Sequence, residues 1–370
     1  MTRVRSVELR LVGLPLVRPF RTSFGEMADK ECVLARVETD EAVGWGECVA
    51  GPTPDFSEEW NDGVWLVLRD LLVPALLAAG DVTPGDLERV FAFVRGHPMA
   101  KATLVDAVLD ATLRAEGRSL ATFLGADRDR VECGVSIGIT PTVEALLDQV
   151  GGYLAEGYRR IKLKIEPGAD VRPVRAVREA HSDIALSVDA NAAYSLADVD
   201  VFHSLDPCEL LMVEQPLHRE DLVDHAKLQA EIDTPVCLDE SIRSAAAAAA
   251  AIELGACRIV NVKQGRVGGL LEARRVHDVC AAQGVPVWCG GMLETGIGRA
   301  TNLALAAMPN FSLPGDTSAS RRYFSEDLTE PFEMAPDGTM AVPAGPGIGV
   351  EPLPDRLEST TKRRELLWKE

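Results

Sequence analysis

Five charged residues recur through the middle of the chain at nearly constant spacing. Intervals of 25, 25, 25 and 24 residues separate Lys164, Asp189, Glu214, Asp239 and Lys263. Each ends a short apolar run: RIKLK, LSVD, LMVE, VCLD and IVNVK. Runs of that length between segments of helical periodicity read as buried strands, and one strand plus one helix per interval is a βα unit. Constant phase then places all five side chains on one rim of a parallel sheet. Candidate strands lie at 133–139, 159–165, 184–189, 210–214, 235–239, 258–263, 285–290 and 310–314. Helical segments lie between them at 142–156, 170–181, 195–204, 218–231, 243–254, 268–283 and 296–307. Eight strands alternating with seven helices predict a (β/α) barrel, whose functional rim is the C-terminal end of the strands. An open doubly wound sheet lacks its usual glycine-rich phosphate turn after the first strand here.

The flanking sequence follows another grammar. Residues 3–12 alternate as a strand, 32–38 and 43–48 read as a hairpin, and 57–79, 84–96 and 98–117 carry helical periodicity. This predicts an α+β module over 1–130, a barrel over 131–320 and a C-terminal segment, 321–370, that returns to the first module. Residues 18–30, RPFRTSFGEMADK, have the composition of a loop that closes over something. The net charge of −19 argues against nucleic acid as a partner, because backbone phosphates demand a basic surface. The N-terminus lacks a signal-peptide apolar core, and the alanine run 245–251 is too short to span a bilayer, so no membrane partner is expected. Eight scattered cysteines without a C-x-x-C pair suit a reducing cytoplasm.

On the predicted rim, Asp189, Glu214 and Asp239 are three neighbouring carboxylates, which repel one another unless a cation sits among them. An all-oxygen set suits a hard cation, Mg²⁺ first, with Mn²⁺ or another divalent ion as a substitute. Lys164 and Lys263 flank the acidic trio. A carboxylate held at such a cation has an acidified α-carbon, and a lysine becomes a base where a neighbouring cation disfavours the ammonium. Lys162 is placed to do this for Lys164, and Arg266 for Lys263.

The set K-x-K (Lys162, Lys164), Asp189, Glu214, Asp239 and Lys263 resembles the muconate-lactonizing branch of the enolase superfamily. More closely, PFRTSFG, GWGEC, GVSIGI, RIKLKIEPG, VDAN, EQPL, CLDESI, GRVGG, WCGGMLETGIGRA and LPGDTSAS resemble its N-succinylamino acid racemase/o-succinylbenzoate synthase group, from about residue 5 to 355. The resemblance implies a (β/α)7β TIM-like barrel with an α+β capping domain, assembled as a homo-oligomer. It implies Lys164 and Lys263 as the acid/base pair and Asp189, Glu214 and Asp239 as Mg²⁺ ligands. The substrate is then a small-molecule carboxylate, either an N-acylated amino acid to be racemised or the o-succinylbenzoate precursor to be dehydrated. Asn191 would assist the substrate carboxylate or the metal. Phe20 and Phe24, Ser136, and Gly291 with Met292 resemble pocket positions, and Arg266 resembles a feature of racemase-competent members. Two departures bear on the substrate: Gln264 stands where relatives often have proline, and Val49-Ala50-Gly51-Pro52 is smaller than the bulky residue some relatives carry there.

Dipeptide epimerase and muconate cycloisomerase share this frame, but an epimerase needs extra carboxylates near strand eight, where Asp316 stands without a D-x-D. GVSIG fits the G-x-S-x-G nucleophile elbow, yet Ser136 lies inside an alternating strand rather than at a sharp turn. A non-catalytic metal-stabilised scaffold has no need of two flanking lysines.

Overall fold

Alternating apolar residues at the start of the chain form the longest strand of the protein. The structure is a computed structural model that describes residues 1–22 and 25–368. Strand β1 (Thr2–Thr22) pairs antiparallel with β2 (Gly25–Thr39), and β2 with β3 (Val43–Glu47). Val7 and Leu9 of β1 are fully buried in the core of the first module, as period-2 alternation requires, and Val12, on the opposite face, is buried in the main core shared with the barrel.

Helix α1 (Pro98–Ala115) lies across the sheet, and β3 explains how it comes so close. Gly44 and Gly46 occupy alternate positions of β3. A Cβ on Gly46 would collide with the Thr103 carbonyl, and one on Gly44 with the Ala107 carbonyl and Ala111 nitrogen. The glycines of GWGE therefore let helix backbone rest directly on strand backbone.

The barrel strands are β4 (Gly134–Ile137), β5 (Arg160–Lys164), β6 (Ala185–Asp189), β7 (Val213–Glu214), β8 (Val236–Leu238), β9 (Ile259–Val262) and β10 (Val287–Cys289). They form one parallel sheet in chain order. Helices α2 (Val143–Glu156), α3 (Val171–Ala180), α4 (Val199–Leu205), α5 (Leu222–Glu231), α6 (Ala245–Glu253), α7 (Leu270–Ala282) and α8 (Gly296–Ala306) connect and cover them. Side-chain caps start several of these helices: Thr142 accepts from Ala145 N, Asp221 from Asp224 N and Ser244 from Ala247 N. The last strand, β11 (Thr361–Trp368), pairs antiparallel with β1 on the edge away from β2.

Three sequence expectations are corrected. Residues 18–22 and 25–30 are the paired end of the β1–β2 hairpin rather than a loop, with Phe20 opposite Met27 and Arg21 opposite Glu26. A two-stranded ribbon beyond the sheet buries neither face fully, so it lacks the alternation that marks a strand. The single helix expected over 57–79 is interrupted by a π-helical turn at Leu68–Leu72. Pro74 has no N–H and its ring crowds the carbonyl four residues back, and the wider turn accommodates both. Finally, 310–314 is not a regular strand. Bridges from Phe311 to Val287 and from Gly315 to Cys133 join β10 to the β4 side, closing the ring where Pro309 and Pro314 withhold ladder donors.

Buried carboxylates fasten the capping module to the barrel. Glu47, at the end of β3, accepts from Thr295 N, Thr295 Oγ1 and Gly298 N at the start of α8. Asp106 of α1 accepts from Leu270 N at the start of α7. Each meets unpaired N–H groups and the positive end of a helix. Among the described residues, no helix is long and apolar enough to cross a membrane, and all eight cysteines are buried and free.

Candidate active site

Strand β5 is buried on both faces, and alternation sorts its residues. Ile161 and Leu163 join the main apolar core, while Arg160, Lys162 and Lys164 share the opposite face, toward the barrel interior. Arg160, deepest, bonds to Asp316 at 2.5 Å and to the Pro314 carbonyl at 2.9 Å. Lys162 lies next, 2 % exposed, with its ammonium 2.8 Å from Glu214 Oε2, 2.8 Å from Asp316 Oδ2 and 3.3 Å from Asp189 Oδ2. Both cations sit over the Trp288 ring, each 4.7 Å from its centre. Beside these charges Met212, Cys237, Ile259 and Trp288 form a small apolar cluster. The interior is therefore a packed core and the rim is its polar end.

Lys164 lies at the rim, 2.6 Å from Asp189 Oδ2 and 2.6 Å from Asn191 Oδ1. The backbone register sets Lys164 beside Asp189 and Asp189 beside Glu214. On the far side, Lys263 Nζ lies 2.8 Å from Asp239 Oδ2, and Arg266 binds the other oxygen of Asp239. Asn261 donates to Glu214 Oε1 at 2.7 Å.

Burial penalises charge on all three carboxylates, and the neighbours decide the outcome. At Asp189 the Lys164 and Lys162 ammoniums overcome burial and hold the carboxyl well below its usual range. Arg266 and Lys263 do the same for Asp239. Glu214 is pushed up to about 8, by burial and then by the charge of Asp189, which Lys162 does not offset. Lys162 itself stays charged, because Asp316, Glu214 and Asp189 outweigh its burial.

A cavity of 360 Å³ opens above this rim, between the barrel and the capping module. Lys164, Asn191, Lys263, Gly291, Met292 and Phe20 line it, as do Val49, Ala50, Gly51 and Pro52. Ser136 is elsewhere: it pairs with Lys162 in the layer below, buried and off the cavity wall, and its carbonyl accepts from Arg322. Phe24 lies outside the described residues. Arg266 stands behind Lys263 rather than on this wall.

Sequence reasoning missed Asn261, the Arg160–Asp316 pair, Glu240 and Phe56. Asn261 was reachable, since moving the 25-residue spacing back two residues gives Lys162, Ser187, Met212, Cys237 and Asn261, the next interior layer. Phe56 had no such signal. It comes from the capping module, with its ring 5.6 Å from Lys263 Nζ and 5.7 Å from the Arg266 guanidinium.

Among the described residues no three acidic, histidine or cysteine side chains converge on one point as they stand, because lysine ammoniums lie against the carboxylates. The donor set nonetheless fits a divalent cation. It offers only oxygen, from three adjacent strand ends, and burial with the charge of Asp189 pushes the Glu214 carboxyl up, a penalty that a bound cation would offset.

The matched family models agree with this geometry. One described as "Mandelate racemase / muconate lactonizing enzyme, N-terminal domain" matches residues 5–125, and one described as "Enolase C-terminal domain-like" matches 145–356. An N-succinylamino acid racemase of Amycolatopsis sp is 59% identical over 97% of this chain and 98% of that protein. An o-succinylbenzoate synthase of Geobacillus kaustophilus is 48% identical over 98% of this chain and 97% of that one. The crystal structure of an enolase-superfamily member from Listeria innocua Clip11262 superposes with a TM-score of 0.95 at 40% identity, covering 100% of both chains. Sequence, capping module and barrel rim agree along the whole chain, which belongs to the mandelate racemase/muconate lactonizing enzyme branch of the enolase superfamily.

Proposed function

We propose that the protein is an N-succinylamino acid, or more broadly N-acylamino acid, racemase that also has the frame for o-succinylbenzoate synthesis. One observation carries this: Lys164 and Lys263 line the same cavity from opposite sides of the acidic trio. A racemase needs two such groups, one to take the α-proton from one face and one to return a proton to the other. Lys164 is held by Asp189 and Asn191, and Lys263 by Asp239, so each amine has a fixed direction. Phe20 and the small run Val49–Pro52 form an apolar wall suited to a substrate side chain. A divalent ion, Mg²⁺ in our reading, held by Asp189, Glu214 and Asp239 would supply positive charge for the enolate formed at the substrate carboxylate. Dehydration of the o-succinylbenzoate precursor needs the same proton removed, with the second ammonium staying as a charge partner. Relatives bearing both names at high identity support this shared frame. An epimerase reading is weaker, because Asp316 is committed to Arg160 and Lys162. Eight buried free thiols support a reducing, cytoplasmic setting.

The test is proton NMR of N-succinyl-L-phenylalanine with the Mg²⁺-loaded enzyme in D₂O. We expect loss of the α-proton signal together with the D-isomer. Lys164→Ala and Lys263→Ala should each lower racemisation by about 10²–10⁴-fold, the usual worth of a positioned acid or base. If no exchange occurs while the metal is bound, the racemase reading fails for that substrate. The o-succinylbenzoate precursor then tests the dehydration arm.

A further inference from the structure

Asn191 meets Lys164 from a left-handed turn that follows β6. Its φ is 43, and that of Ala192 is 60. Residues other than glycine hold such a backbone where the surroundings over-determine it, and they cluster at functional sites. Two hydrogen bonds pin this turn, from Asn191 N to Asp189 Oδ1 at 3.0 Å and from Ala192 N to the Gln215 carbonyl at 2.8 Å. The Asn191 amide then has a polar neighbour at each end. Its Oδ1 accepts from Lys164 Nζ at 2.6 Å, and its Nδ2 donates to Glu240 Oε1 at 3.0 Å. The reverse orientation would set N–H groups against the ammonium and oxygen against oxygen, so Glu240 and Lys164 together fix the amide.

Glu240 is itself held in place. Gln215 Oε1 accepts from Asp239 N at 3.0 Å and from Ser241 N at 3.2 Å, the residues on either side of it. Gln215 Nε2 donates to Ser241 Oγ at 2.8 Å. Glu240 is only 7% exposed, and its other oxygen, Oε2, is buried with no hydrogen-bond partner among the described residues. A buried carboxyl left half satisfied is costly and calls for a reason. Glu240 does not line the cavity of the two lysines. With Phe56 and Arg266 it lines a second one, of 240 Å³, and Phe56 lines both. Its path to the reacting centre therefore runs through Asn191.

We propose that Glu240 is a positioning residue, which through the Asn191 amide sets the direction of the Lys164 amine as that amine takes the α-proton or returns one. The inference rests on the racemase reading above. It implies an asymmetry between the two lysines, because Lys263 is held by Asp239 and has no place in this chain of contacts. An Asn191 that served the substrate carboxylate or the metal would act on both faces of the substrate alike.

Each pure enantiomer of N-succinyl-phenylalanine is given to the Mg²⁺-loaded parent, Glu240→Leu, Glu240→Ala, Glu240→Gln, Asn191→Leu and Glu240→Leu/Asn191→Leu in D₂O, and loss of the α-proton is followed by NMR. Lys164→Ala identifies the enantiomer that Lys164 serves, as the one whose exchange it stops. In Glu240→Leu and Glu240→Ala, exchange of that enantiomer should slow about tenfold or more relative to the other, in kcat rather than KM. Glutamine keeps an acceptor oxygen and should restore most of the rate. The double variant should be no slower than Asn191→Leu, because both changes break one path. Both enantiomers slowed equally within about twofold, no slowing, or additive effects in the double variant overturns the proposal. Crystal structures of the parent and Glu240→Leu read the same claim without turnover, so they decide it even where the racemase reading fails. Lys164 or Asn191 displaced supports the proposal, and both unmoved overturns it.

Discussion

Lys162 and Asp106 are both buried ionisable groups, and their partners send them in opposite directions. Lys162 has three carboxylates around its ammonium and remains a cation inside the barrel. It shares Asp189 Oδ2 with Lys164, so two ammoniums meet at one carboxylate oxygen. Asp106 has only Leu270 N on one oxygen and nothing on the other, and burial pushes its carboxyl from 3.8 up to about 7. Between those two pH values the folded protein holds a proton that the unfolded chain has lost. Stability therefore falls as pH rises through that window. Asp106→Asn keeps the acceptor and removes the charge. Urea unfolding should find this variant more stable than the parent at about pH 8, by on the order of 2 kcal/mol, and indistinguishable at about pH 4. An equal difference at both pH values would show that ionisation is not its source.

At the scale of elements, the contact between β3 and α1 sets how the capping module is built. Gly46→Ala puts a methyl group into the Thr103 carbonyl, where neither backbone can yield without moving its whole element. We expect a loss of about 3 kcal/mol or more, the upper range for overpacking. Gly151, in α2, has open space where its Cβ would lie. Gly151→Ala should add roughly 0.5–1 kcal/mol through helix propensity. Chemical denaturation of the pair checks the argument, and equal effects would refute it. Most helices and strands of the barrel were legible from periodicity, because each has one face on a core. The paired stretches 18–22 and 25–30 and the closing segment at 310–314 were not, since one is partly solvated on both sides and the other is interrupted by prolines.

For the whole molecule, the cavity lies between two modules tied together by Glu47 and Asp106, and Lys164 and Lys263 on its wall stand against Asp189 and Asp239 of the buried acidic trio. A cation that binds the folded trio and not the unfolded chain must stabilise the fold, by about 2.7 kcal/mol at one hundred times its Kd. Added Mg²⁺ should raise Tm, a chelator should reverse the rise, and Glu214→Gln should abolish it. A Tm indifferent to every divalent ion tested would remove the metal from this site.

The sequence by itself determined the barrel, the order of its strands and the alignment of Lys164, Asp189, Glu214, Asp239 and Lys263 on one rim. A βα repeat converts spacing along the chain into position around a ring, so equal intervals are a spatial statement. Only the tertiary structure decided which cation meets which carboxylate, that Asp316 crosses to Arg160 and Lys162, and that Phe56 stands between two cavities. Those contacts join residues from different modules or distant units. They have no period along the chain, and they exist only because the packed backbone brings the side chains within reach.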